Sequence, residues 1–151
     1  MIKQHLIFIL LLVVGASHAD SSLTTTDWAG TSATARERHS PILVVFGAEA
    51  CGYCARLMQE IIEPLSRQSD RRLPLIREFD IHSSGKITDF NGDAIRSRWF
   101  KNRYQVYAVP TLFILDADGK PLTDPIVGYN SQDEYRELLH ASLGASFAAL
   151  D

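Results

Sequence analysis

The hydrophobic pattern changes its period in the first half of the chain, and this change constrains the fold most strongly. The run Pro41-Ile42-Leu43-Val44-Val45-Phe46 is continuous, apolar and rich in β-branched side chains. Because it is short, it predicts a strand buried on both faces rather than a helix. From Cys51 onward, apolar residues recur at spacings of three and four, which predicts a helix with one apolar stripe. The stripe comprises Cys54, Leu57, Met58, Ile61, Ile62 and Leu65.

Further elements are predicted on both sides of this strand and helix. A helix is expected over residues 27–39, with Thr26 or Asp27 near its cap. Pro64 should break or kink the helix after Cys51, or restart it as a first-turn residue. The next segments are predicted to be a buried strand over 73–81, a polar insertion over 82–93 that could form a small hairpin, and a helix over 94–104.

The last third of the chain predicts a hairpin followed by a helix. Strands are expected over 111–115 and near 126–127, with a turn at 116–119 in which Gly119 takes the left-handed conformation. Ser131 and Glu134 have the spacing of a capping box for a helix that stops at Gly144. Its apolar face is expected to carry Tyr135, Leu138 and Leu139. Parallel crossovers first and an antiparallel hairpin last predict an α/β fold with a mixed sheet.

Composition limits the classes of function. The chain has 151 residues, 46% hydrophobic and 22% charged, which suits one globular domain. A chain of this length can bury a core without disulfide bonds, so its two cysteines are expected to have a role other than stabilising the fold. The net charge is −3 and basic residues are dispersed, which argues against a nucleic-acid partner. Three large aromatic residues are expected to be packing residues: Trp28, Trp99 and Phe100.

The N-terminus has the pattern of a secretory signal peptide. Lys3 lies in a short polar start, residues 6–14 are apolar, and small residues precede a cleavage site expected after Ala19. Because the apolar run is short for a membrane span, cleavage is preferred to an uncleaved anchor. The predicted organisation is a signal peptide over 1–19, a linker over 20–26, a domain over 27–145 and a tail over 146–151. Export predicts a periplasmic, oxidising location, where disulfides persist.

The stretch Cys51-Gly52-Tyr53-Cys54 is the candidate catalytic motif. Two cysteines separated by two residues at the first turn of a helix are close enough to bridge. Cys51 falls at the helix start, where backbone N–H groups and the helix dipole stabilise a thiolate, the attacking species in disulfide exchange. Cys54 lies on the apolar stripe, so it is expected to be less exposed and to resolve the mixed disulfide.

Two alternatives to a redox role remain open for the cysteine pair. The first is an inert local disulfide, although so short a loop constrains the unfolded chain only weakly. The second is a metal site, but two cysteines supply only half of a tetrahedral ligand set. The histidines beyond residue 19 show no ligand spacing; they are His39, His82 and His140. We therefore predict no metal and no cofactor other than a redox-active Cys51–Cys54 disulfide.

With these residues in place, the chain resembles the thioredoxin superfamily over roughly residues 30–143. Residues 44–54 look like its strand, loop and active site, and Val109-Pro110-Thr111 looks like its cis-proline loop. Val127-Gly128-Tyr129 is similar to its last strand. The resemblance implies a thioredoxin-like fold, with a central mixed sheet flanked by helices and an insertion after the second strand. It also implies that Pro110 is cis. An extended substrate is expected to bind at Gly52, Tyr53, Val109 and Pro110.

The chain departs from the family pattern at two places. The family usually has a buried Asp beneath the second cysteine, and the matching position is Val45. A proton acceptor for Cys54 must then come from elsewhere: Glu49 is expected to be a solvated loop charge, and Glu78 could point inward from the second strand. The tryptophan that often precedes the motif is also missing, since Gly47 and Ala50 stand there.

The closest resemblance is to exported bacterial thioredoxins associated with sulfur oxidation and cytochrome maturation, while Gly52-Tyr53 is similar to the dipeptide of periplasmic disulfide isomerases. This implies a disulfide reductase that acts on protein disulfides and is resupplied by a membrane dithiol donor. An oxidase or isomerase, or a dithiol metal-binding module, is the alternative. Isomerases of that type resemble dimers with a separate dimerisation domain, for which this chain has no room, so a monomer is expected.

Overall fold

The computed structural model describes residues 23–69 and 72–151. Its central strand is β1 (Ile42–Gly47), all six residues of which are buried. β1 pairs in parallel with β2 (Leu75–Asp80) and antiparallel with β5 (Thr111–Leu115). The short β6 (Ile126–Val127) adds antiparallel to β5, which gives the order β2-β1-β5-β6. The predicted mixed sheet is therefore confirmed, and the buried run at residues 41–46 occupies its centre.

Helices cover both faces of the sheet. α1 (Trp28–Arg38) begins after Asp27, whose carboxylate caps it by accepting the Gly30 N–H at 2.9 Å. The helix after Cys51 has three continuous parts: α2 (Gly52–Leu57), a π turn (Met58–Ile62) and α3 (Glu63–Ser66). Pro64 lies in the first turn of α3, where its missing N–H costs least. Of the outcomes expected at Pro64, the structure shows the restart.

The insertion after β2 forms the hairpin anticipated from its polar sequence, but with different bounds. Its strands are β3 (Lys86–Thr88) and β4 (Ala94–Arg96), and α4 (Ser97–Arg103) follows directly. The predicted start of that helix at Ala94 is therefore wrong, because Ala94–Arg96 pair with β3. Asp89, which begins the turn of the hairpin, accepts hydrogen bonds from Arg103 and so fixes the insertion to α4.

The last helix, α5 (Gln132–Leu150), corrects two predictions. Ser131 is at its N-cap, but its side chain makes no capping hydrogen bond, so the capping box does not form. The predicted stop at Gly144 is also wrong, because the helix continues to Leu150. Tertiary contacts outweigh the roughly 1 kcal/mol cost of a helical glycine: Arg72 bonds to Asp151 at 2.9 Å and covers the ring of Phe147.

Two separate cores fill the space above and below the sheet. One is rich in aromatic residues, with Trp28 and Phe100 fully buried and their rings 4.4 Å apart. The other is mainly aliphatic, lies under α2 and α5, and contains Val45. The expected packing roles of Trp99 and Leu138 are wrong, since they are 56% and 49% exposed. Each directly precedes a buried residue, and successive helical side chains point about 100° apart, so only one of each pair faces the core.

The predicted signal peptide and most of the linker, residues 1–22, lie outside the described part of the chain. None of the helices within residues 23–69 and 72–151 is long and apolar enough to cross a membrane.

Candidate active site

The cysteine pair lies where β1 passes into α2. Cys51 is the N-cap residue, and Cys51 and Cys54 form a disulfide with their Cα atoms 5.2 Å apart. The backbone N–H of Cys54 donates to Cys51 Sγ at 3.1 Å. Cys51 is partly exposed, whereas Cys54 is only 5% exposed. The structure therefore places an accessible sulfur at the start of the helix and a buried sulfur one turn further on.

This placement has a direct chemical consequence for Cys51. A backbone N–H aimed at Sγ, together with the positive end of the helix dipole, stabilises a thiolate relative to a thiol. Because Cys54 is buried behind it, the outer sulfur is the one that a large disulfide substrate can reach.

The loop before β5 lies close to Tyr53, which stands between the two cysteines in the sequence. The Val109–Pro110 peptide bond is cis, as the resemblance implied. The Gly128 N–H donates to the Pro110 carbonyl at 2.8 Å, which ties this loop to the end of β6. Paired residues of β5 begin at Thr111, so Val109 lies just outside the sheet ladder.

We call the opening in front of this loop the proline cleft. Its volume is about 420 Å³. It is lined by Tyr53, Arg56, Val109, Pro110, Gly128, Tyr129 and Asn130. Three of the four predicted substrate-binding residues thus come together, and Tyr53 is 61% exposed. The fourth, Gly52, is exposed but does not line the cleft.

The wall of the proline cleft is held by a compact hydrogen-bond network. The Tyr129 hydroxyl donates to one carboxylate oxygen of Glu60, and Arg56 Nε donates to the other at 3.2 Å. The Arg56 guanidinium also lies over the Tyr129 ring, 5.3 Å from its centroid. The hydrogen bonds from Tyr129 and then Arg56 lower the pKa of Glu60. Burial, followed by the bond to Glu60, raises the pKa of Tyr129 to about 12.

A second opening, which shares no lining residue with the first, reaches the sulfur atoms. We call it the acidic cleft, because its charged side chains are Glu49, Glu78 and Asp80. Its volume is about 440 Å³, and both cysteines line it. The remaining lining residues are Thr24, Gly47, Ala48, Ala55 and Met58.

Glu78 occupies a particular position in the acidic cleft. In the parallel ladder it pairs with Val45, and such partners direct their side chains to the same face of a sheet. Its carboxylate therefore lies on the cysteine side. Burial first, and the nearby Asp80 carboxylate second, raise the pKa of Glu78. The expected solvation of Glu49 also agrees with the structure, since Glu49 is exposed.

Comparison with known proteins assigns the family. The profile described as a thioredoxin-like domain matches residues 30–143. The chain belongs to this thioredoxin-like family. No curated protein matches it in a sequence comparison.

Solved structures support the same fold for this thioredoxin-like chain. A thioredoxin-fold protein from Helicobacter pylori is 20% identical, with 73% of each chain covered and a TM-score of 0.56. A poplar thioredoxin h is 20% identical, covering 78% of this chain and 93% of that one, with a TM-score of 0.55. The periplasmic thioredoxin SoxS from Paracoccus pantotrophus is 17% identical over 71% and 99%, with a TM-score of 0.51. At these identities the likeness shows the fold alone.

The thioredoxin-like site contains residues that the sequence did not single out. Arg56 and Glu60 had a signal, because opposite charges four residues apart on a helix lie side by side. Tyr129 and Asp80 had none, since their places near the site depend on how distant strands pair. No group of three or more potential metal ligands occurs within residues 23–69 and 72–151.

Proposed function

We propose that this thioredoxin-like protein is a periplasmic disulfide reductase that acts on protein disulfides. One observation carries the proposal: Cys51 Sγ is accessible at a helix start and accepts the Cys54 N–H at 3.1 Å, with Cys54 buried behind it. This is the arrangement that a nucleophilic thiolate and its resolving partner require.

The reaction has two steps. Cys51 thiolate attacks one sulfur of the substrate disulfide, which forms a mixed disulfide and releases the other substrate sulfur as a thiolate. Cys54 then attacks Cys51 Sγ, which forms the Cys51–Cys54 disulfide and releases the second substrate sulfur. The enzyme dithiol supplies two electrons and two protons, and the substrate becomes a dithiol. A membrane dithiol donor would return the enzyme to its reduced form by the reverse exchange.

The proline cleft supports a role in holding the substrate. Tyr53 offers an exposed aromatic surface next to Cys51, and Val109 presents backbone outside the sheet ladder. An extended peptide could add its backbone hydrogen bonds there, as peptides do at open sheet edges. Residues 1–19 supply the reason for proposing export, and a monomer with one such cleft is sufficient for the reaction.

Trapping tests the chemistry. In a Cys54→Ser variant the mixed disulfide cannot be resolved, so a substrate should remain attached through Cys51 and be detected by mass spectrometry. The Cys51→Ser variant is the matched control and should trap nothing. Failure of Cys54→Ser to form an adduct with insulin or with periplasmic proteins would overturn the proposal.

The direction of electron flow needs its own measurement, because an oxidase or isomerase would use the same two sulfurs. Stabilising the Cys51 thiolate favours the reduced form and makes a pair more oxidising. A reduction potential near about −270 mV would support a reductase, whereas one near about −120 mV would assign an oxidase. The dithiol metal-binding module predicts bound metal in the purified protein and no insulin reduction.

A further inference from the structure

The acidic cleft contains a candidate for the proton acceptor that the sequence lacks at Val45. Glu78 is the direct ladder partner of Val45, so its carboxylate lies one strand away from that position and on the same face. On its other edge, β2 is covered by the segment at Leu23–Thr24, whose Leu23 carbonyl accepts the Glu78 N–H at 2.9 Å. Glu78 is thus held between β1 and this bridged segment, with its side chain half-buried in the cleft.

The geometry around Gly47 connects this carboxylate to the buried sulfur. A methyl group placed on Gly47 would lie 3.8 Å from Glu78 Oε1 and 3.8 Å from Cys54 Sγ. Both atoms therefore border the same space beside Gly47, which is the space that a methyl group, or a water molecule, at this position would occupy. A proton acceptor can work through one bridging water, provided that the space is polar and large enough.

We propose that Glu78 accepts the proton of Cys54 during resolution, and that glycine at position 47 keeps the path between them open. This inference rests on the proposed function and adds a residue to it. The proton leaves the Cys54 thiol for the Glu78 carboxylate as Cys54 Sγ bonds to Cys51 Sγ. The bond from Cys51 to the substrate sulfur breaks, and that sulfur leaves with the electron pair. The proton then passes from Glu78 to the departing thiolate or to solvent.

The surroundings of Glu78 suit a group that exchanges a proton. The titratable groups that share the cleft with Glu78 are Asp80 on β2, Glu49 in the loop after β1 and the cysteines at the helix start. Thr24, on the opposite side, is uncharged. Within residues 23–69 and 72–151, no lysine, arginine or histidine lines this cleft, so none of these residues holds the carboxylate in its charged form. The pKa of Glu78 is raised by burial and by Asp80, which brings it closer to neutral pH, where proton transfer is most effective.

Single-turnover kinetics separates the two chemical steps. The reduced full-length protein is mixed with dithiobis-nitrobenzoate, a symmetric aryl disulfide whose thiolate is coloured. The first thiolate reports attack by Cys51, and the second reports resolution by Cys54. In Glu78→Gln, the first phase should be unchanged and the second should slow about 10- to 100-fold at pH 7. The deficit should shrink above about pH 9, where an ordinary thiol ionises unaided.

Two further variants make the test specific. In Gly47→Ala the methyl group has ordinary contact distances, so the fold should persist while the second phase slows; in a Glu78→Gln background it should add little further slowing. Glu49→Gln, an exposed carboxylate of the same cleft, should leave both phases unchanged. Circular dichroism confirms folding of each variant.

The outcomes distinguish this inference from the proposed function. If the wild type releases both thiolates and Glu78→Gln has the same second phase and pH profile, the role of Glu78 is overturned and the reductase stands. Equal slowing of both phases in Glu78→Gln also overturns it, because the substitution would then act on the cysteine pair as a whole. If the wild type releases neither thiolate, the proposed function itself fails, and this inference with it.

Discussion

Glu60, whose partners line the proline cleft, and Glu78, which lines the acidic cleft, lie in opposite electrostatic settings. Glu60, behind the proline cleft, accepts hydrogen bonds from Tyr129 and Arg56, and these bonds lower its pKa. Glu78, in the acidic cleft, is half-buried near Asp80, and its pKa is raised. A carboxylate held by donors stays charged and fixes the surrounding structure. A carboxylate that faces other acids ionises reluctantly and can exchange a proton, so one residue type serves two purposes here.

The largest effect on stability is expected from removing the hydroxyl that holds Glu60. Tyr129→Phe keeps the ring against Tyr135 and under Arg56 but loses the hydrogen bond to the carboxylate. A hydrogen bond to a charged group contributes more to stability than one between neutral groups, so its loss should lower the free energy of unfolding measurably. Urea denaturation should show that loss as a lower midpoint with an unchanged slope.

A second tyrosine provides the control for this variant. Tyr107 is 90% exposed, so Tyr107→Phe should leave the free energy of unfolding within about 0.5 kcal/mol of wild type. If Tyr129→Phe also falls within that range, the network around Glu60 does not stabilise the proline cleft. Glu60 would then not be a stabilising counterpart to Glu78.

Much of the fold was predictable because it depends on local pattern. The buried run at 41–46, the restart at Pro64 and the turn at Gly119 each follow from the covalent or hydrophobic character of nearby residues. Element bounds were predicted less well. Ala94–Arg96 form a strand because β3 is there to pair with them, and α5 passes Gly144 because Arg72 holds its end. Both causes are distant in sequence.

The same distinction applies to the site. The cysteine pair and the proline loop are each encoded by a few adjacent residues. The orientation of Glu78 was not, because its neighbours in β2 alternate between two buried faces and the sequence does not say which face carries the cysteines. Only the register with Val45 decides it. The hydrogen bond between Tyr129 and Glu60 likewise forms only because the chain after β6 returns to the π turn that contains Glu60.

A smaller effect is expected from Glu60→Gln, which keeps an oxygen acceptor and removes only the charge. A carboxylate whose pKa is lowered by folding stabilises the protein above its unfolded pKa of about 4.3, and this is lost as the pH falls through the folded pKa. Glu60→Gln should therefore lower Tm at pH 7 by less than Tyr129→Phe does, and the difference from wild type should begin to shrink as the pH falls below about 4.

The exposed pair Glu63–Arg67, at 3.0 Å on the same helix, offers a matched comparison. Exposed pairs four residues apart contribute about 0.3–0.5 kcal/mol. Thermal melts of Glu63→Gln should show a smaller loss than those of Glu60→Gln at pH 7. An equal loss would mean that the hydrogen bond from Tyr129 does not increase the stabilisation that the charge of Glu60 provides.

The smallest effect, and the one with the opposite sign, is expected from Glu78→Gln. A carboxylate whose pKa is raised by folding imposes no cost below its unfolded pKa of about 4.3, and its cost appears as the pH rises through the folded pKa. At pH 7, which is above the unfolded pKa, the wild type carries this cost, and glutamine removes it. Because Glu78 is only half-buried, solvent limits the gain, and Tm should rise by about 1–2 °C at pH 7 and not at pH 4. Glu49→Gln, scanned in parallel, should show no such rise.

A Tm that falls at pH 7 in Glu78→Gln would reveal a stabilising partner for the carboxylate and would remove the contrast with Glu60. A rise, together with slower resolution, would mean that the protein keeps a destabilising charge beside Cys54 because the chemistry requires it.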